Sequence, residues 1–151
     1  MKININNKTN FIRNFLSPIG KVSENAVVNV KGDAITALTC TPDSTLFLNC
    51  RLLQKNDLDD VKALNIPDVN KLVNALSCTS QEVMSFELNQ NCIQYTSDNV
   101  KFKLHLLEDG IINSPAINID KLKNIEFNTT FKLTYNDLQT LIKGSSFASE
   151  V

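Results

Sequence analysis

A chain of 151 residues with 42 % apolar side chains is long enough for one domain with a real core and leaves length for part of a second. Fifteen Lys and Arg against sixteen Asp and Glu leave a net charge of −1, which argues against a generic nucleic-acid-coating protein but not against a locally basic surface. No apolar run reaches membrane-spanning length, and Asn4, Asn6, Asn7 and Asn10 interrupt any signal-peptide pattern, so the expected location is the cytoplasm, with no membrane partner.

The first element is a strand-like run, Lys2-Ile3-Asn4-Ile5, followed by a short amphipathic helix over Thr9–Leu16. Phe11 and Phe15 lie four residues apart, on one face of that helix. Three strands are expected next, over Asn25–Val30, Ala34–Thr39 and Thr45–Leu53. Lys31-Gly32-Asp33 and Thr41-Pro42-Asp43-Ser44 supply the turns between them. Leu46, Leu48 and Cys50 alternate with Phe47, Asn49 and Arg51, as the two faces of a strand do. The first unit therefore reads β-α-β-β-β.

An acidic break, Asn56-Asp57-Leu58-Asp59-Asp60, precedes a second unit. Val61–Ile66 reads as a strand, and Asp68 as the N-cap of a helix ending at Ser77, with Leu72 and Leu76 as its apolar pair. Strands over Val83–Leu88, Cys92–Thr96 and Val100–Leu107 complete β-α-β-β-β again. In the last strand Val100, Phe102, Leu104 and Leu106 point one way, and Lys101, Lys103 and His105 the other. A connector over 109–128 follows. A third opening then appears: Phe131-Lys132-Leu133-Thr134 as a strand, and a helix over Asn136–Lys143 carrying Leu138 and Ile142. Recurrence of one phrase at long spacing marks a repeated supersecondary unit. The expected fold class is α+β. Residues 1–108 form one domain, 109–128 connect, and 129–151 begin a second domain that this chain does not complete.

Chemistry-bearing patterns are sparse. Cys40, Cys50, Cys78 and Cys92 form no C-x-x-C pair, and His105 is the one histidine, so no metal site and no disulfide framework is expected. There is no Gly-rich phosphate loop and no nucleophile-elbow pattern, so no catalytic residue and no cofactor is expected.

The twin β-α-β-β-β units, the connector and the start of another unit resemble the sliding clamps, the processivity factors of DNA polymerases, and most of all those of T-even-type phages. Met1-Lys2-Ile3 through Thr9-Asn10-Phe11-Ile12-Arg13-Asn14-Phe15 is similar to their opening strand and helix. Phe131-Lys132-Leu133-Thr134-Tyr135-Asn136-Asp137-Leu138-Gln139-Thr140-Leu141 is similar to the opening of their second domain. The resemblance implies a non-enzymatic homotrimeric ring with helices lining its hole. Such a ring encircles duplex DNA without regard to sequence, tethers the replicative polymerase and is placed by a clamp loader. It implies that Lys8, Arg13, Lys71 and Lys143 face phosphates, with Asn10, Asn14, Asn70 and Asn74 beside them. Ile111, Ile112, Ile117 and Ile119 are the expected border of a groove for a partner peptide. The competing reading is a small adaptor that binds proteins only, for which the same bases are ordinary solvated side chains. A hydrolase centred on His105 is a distant third.

Overall fold

The computed structural model describes residues 2–97, 99–113, 115, 117, 124 and 126–145. The chain divides into two compact units, Met1–Ala116 and Ile117–Val151. In the first, β1 (Lys2–Ile5) leads into a helical segment built of α1 (Lys8–Phe11), a π-helical stretch (Ile12–Leu16) and α2 (Ser17–Val22). Then come β2 (Ala26–Val30), β3 (Ala34–Cys40), β4 (Phe47–Leu53), β5 (Lys62–Ile66) and α3 (Val69–Ser77). β6 (Met84–Asn89), β7 (Cys92–Thr96) and β8 (Lys101–His105) complete the unit. The α+β class and the doubled β-α-β-β-β order are as expected from sequence.

The strands form two antiparallel four-stranded sheets, ordered β1-β6-β7-β8 and β4-β3-β2-β5. The halves are therefore interlocked. The first strand of each half pairs with the later strands of the other: Ile3 opposite Phe86, and Leu64 opposite Val28. Period-2 alternation sends one side of most strands inward, while β5 buries Leu64, Asn65 and Ile66 in succession. Ile3, Ile5, Val28, Val30, Ile35, Leu64, Ile66, Met84, Phe86 and Ile93 are all buried. The helices close the same core with Phe11, Phe15, Leu16, Ile19, Val69, Leu72 and Leu76. Phe11 and Phe15 stack at 5.5 Å between ring centroids, and Phe86, Tyr95 and Phe102 form a second aromatic cluster.

Two of the four outer strand edges are covered from within. The N–H groups of Asn4 in β1 and of Asn6 just after it donate to Asn56 Oδ1 (3.3 Å) and Gln54 Oε1 (3.1 Å), and Gln54 Nε2 donates back to the Asn4 carbonyl. On β5, the Asn65 carbonyl accepts from Leu107 N–H, while Asn65 Nδ2 donates to the Leu107 carbonyl and to Asp109 Oδ1. The segment leaving each half thus returns to that half's first strand. Among the described residues, no strand pairs with the outer edges of β4 and β8.

In the second unit α4 spans Tyr135–Ser145. The expected strand over Phe131–Thr134 is not formed; Phe131 is 75 % exposed and Leu133 52 %. A strand is held by ladder hydrogen bonds to a neighbour, and among the described residues no strand pairs with these four.

Candidate nucleic-acid interface

The helical layer is built from caps inward. Asn7 caps α1, its side chain accepting from Asn10 N–H at 2.7 Å. Asp68 caps α3 by accepting from Lys71 N–H at 2.9 Å. That hydrogen bond, with the Lys71 charge beside it, holds the Asp68 carboxyl below its ordinary value. At the start of α1, Glu82 accepts from Thr9 N–H (3.0 Å) and Thr9 Oγ1 (2.7 Å), and these bonds hold its carboxyl low as well.

The first helix does not end at Leu16, where sequence reading placed its end. Pro18 and Gly20 look like breakers, yet the helical backbone runs on to Val22. Proline lacks an N–H, and its ring presses on the carbonyl four residues earlier, here that of Asn14. The chain accommodates this by widening the preceding turn. Ser17 N–H donates to the Ile12 carbonyl, five residues back, as in a π-helix. Pro18 then serves as an early residue of the next helical turn, a position that suits it. The available signal was Ile19, buried in register with Phe15.

The two helices meet at Gly20. Asn70 Nδ2 lies 3.4 Å from the Gly20 carbonyl, and a Cβ at Gly20 would stand 2.6 Å from Asn70 Oδ1. Val69 N–H donates to the Glu24 carbonyl at 2.8 Å. With the apolar seams turned to the core, Arg13, Asn14, Lys21, Asn70, Lys71 and Asn74 are exposed. Neither helical stretch, 8–22 or 69–77, contains an Asp or Glu. The acids stand at the ends: Glu24, Asp68 and Glu82. Lys71 pairs with Asp68 at 3.4 Å.

Of the four bases expected to face phosphates, Arg13 and Lys71 are exposed on this layer. Lys8 is not available. It is buried, and its ammonium donates to the Thr79 carbonyl beneath the helix. Its position on the Phe11/Phe15 seam is the physical reason, because a long aliphatic stem there follows the apolar face inward. Lys143 is exposed on α4, in the second unit. Among the expected groove residues, Ile111 is exposed and Ile112 half-buried in the first unit, and Ile117 is half-buried in the second; Ile119 lies outside the described residues. His105 is exposed on the polar face of β8. Among the described residues, no cluster of His, Cys, Asp or Glu could hold a metal ion, and no helix is long and apolar enough to cross a membrane.

No protein-family model matches the sequence, and no curated protein does. Solved structures do match. The DNA polymerase III β subunit of Pseudomonas aeruginosa superposes with a TM-score of 0.63 at 14 % identity, over 78 % of this chain and 33 % of that one. A Helicobacter pylori β clamp bound to a DNA ligase peptide gives 0.59 at 19 %, over 78 % and 34 %. The PCNA of Thermococcus kodakaraensis gives 0.59 at 16 %, over 77 % and 51 %. The fold is that of a sliding-clamp domain. At these identities the fold is what is shared, and the chain spans about a third of the bacterial clamps and about half of the archaeal one.

Proposed function

We propose that this chain contributes a DNA-encircling domain to a sliding clamp, a non-enzymatic processivity factor. In this reading the ring surrounds duplex DNA, tethers the replicative polymerase and is opened and placed by a clamp loader. The carrying observation is the helical layer: Arg13 and Lys71 exposed, asparagines between them, and no acid in either helix. Such a face attracts phosphate backbones irrespective of sequence, which suits a protein that slides. The resemblance of the opening strand and helix to T-even-type phage clamps supports a homotrimer within the host cytoplasm. Head-to-tail closure suits a domain whose open edges, β4 and β8, differ from each other. The ligase peptide on the H. pylori clamp supports a peptide-docking role for the whole subunit, with the connector isoleucines as one border.

Two cysteines make the reading testable. Cys78 is exposed just past α3, one turn on from Asn74, whose carbonyl its thiol faces at 3.3 Å. Cys40 is half-exposed on the outward side of β3. Short duplex DNA at low salt is expected to slow maleimide alkylation of Cys78 and leave Cys40 unchanged. Equal rates with and without DNA at both thiols would overturn the DNA-facing assignment and favour a protein-only adaptor.

A further inference from the structure

We propose that Lys21 is a phosphate-contacting residue, brought into line with Arg13 by the π-helical stretch that Pro18 imposes. The inference rests on the DNA-facing reading above and adds to it a residue and the device that aims it. Arg13, Ser17 and Lys21 recur every four residues. In a straight α-helix each such step overshoots a full turn by about 40°, so over two steps the end side chains would diverge by about 80°. A turn that closes on the fifth residue instead of the fourth absorbs part of this drift. The first of the two steps, Arg13 to Ser17, lies almost wholly within the π-helical stretch. Burial agrees: Phe15, Leu16 and Ile19 are 1 % exposed or less, while Arg13 and Lys21 are both exposed.

The crossing of the helices extends the line onto α3. Gly20 and Asn70 are the touching residues, and Lys21 and Lys71 are their immediate neighbours in sequence. Lys21 therefore sits, exposed, one residue on from the point where the two helices touch. Among the described residues neither Arg13 nor Lys21 is in an ion pair, whereas Lys71 shares its charge with Asp68. Glu24, three residues on, is the nearest acid in sequence to Lys21, and no ion pair joins the two among the described residues.

The test is the salt dependence of binding of the 151-residue chain to a short duplex, compared among Arg13→Gln, Lys71→Gln, Lys21→Gln and the loop control Lys55→Gln. The slope of log affinity against log salt is expected to fall by about 0.9 for Lys21→Gln, as for Arg13→Gln, and to be unchanged for Lys55→Gln. Adding Ser17→Lys to Lys21→Gln is expected to restore the slope, because position 17 lies on the same line. A slope lowered by Arg13→Gln and Lys71→Gln but not by Lys21→Gln overturns this inference alone. Failure of Ser17→Lys to rescue overturns the alignment. A slope that none of the helix variants changes overturns the DNA-facing reading itself.

Discussion

Lys8 shows how much one side chain's direction decides. As a charge count it belongs with Arg13; as a packed group it belongs with Thr79, whose carbonyl its ammonium meets. Removing the ammonium leaves that carbonyl without its partner, a loss of about 1–3 kcal/mol when the group is buried. Lys8→Met is therefore expected to lower the urea midpoint while leaving the salt slope of DNA binding unchanged. Phe15 is the opposite case, a residue whose role is packing alone. It is 1 % exposed and stacked on Phe11, so Phe15→Ala should cost about 3–5 kcal/mol in equilibrium unfolding. Glu82 links stability to pH. Its carboxyl is held below the ordinary 4.5 by the Thr9 N–H and hydroxyl, so the folded chain binds fewer protons there than the unfolded one. The resulting stability is fully present above that value and is lost as pH falls through the depressed one. The stability gap between wild type and Glu82→Gln should accordingly be open at neutral pH and narrow steadily in acid.

At the scale of elements, the helix crossing turns on Gly20. A methyl there would meet the end of the Asn70 side chain, which is exposed and free to swing aside. Alanine also favours helix over glycine by about 1 kcal/mol. Gly20→Ala is thus expected to leave thermal stability unchanged or slightly raised, whereas a branched residue would force the helices apart and lower it. α4 has the apolar seam expected of it, but Leu138, Leu141 and Ile142 are 46–57 % exposed. Short helices draw most of their stability from a covered seam. Amide exchange in α4 should therefore be fast, and in α3, whose seam is buried, slow.

At the scale of the molecule, the interlocked sheets govern folding. Each sheet borrows its first strand from the other half, β1 beside β6 and β5 beside β2. Neither half can complete a sheet by itself, and the core joins residues from both halves, such as Ile3 with Ile93 and Val28 with Leu64. Peptides covering residues 1–57 and 58–113 should each be unstructured by circular dichroism and should gain β-structure when mixed. Independent folding of either peptide would refute the interlock.

The doubled unit was legible because its signals are local. Alternation in β2, β3 and β8, the seams Phe11/Phe15 and Leu72/Leu76, and the cap Asp68 depend on residues a few positions apart. Exposure of Arg13 and Lys71 followed from the same periodicity. Which strand pairs with which did not follow, because β1 beside β6 depends on contacts some eighty residues apart that no local pattern encodes. The sequence likewise ended the first helix at Leu16, because whether a helix runs on through Pro18 depends on whether the turn before the proline can widen. It counted Lys8 as a surface charge, since a lysine on an apolar seam goes inward only if a carbonyl such as that of Thr79 waits there. By itself the sequence determined the elements and their faces, which are set by short-range sterics and periodicity. Only the tertiary structure decided strand exchange, the continuation to Lys21 and the burial of Lys8, because each is a choice between partners distant in the chain.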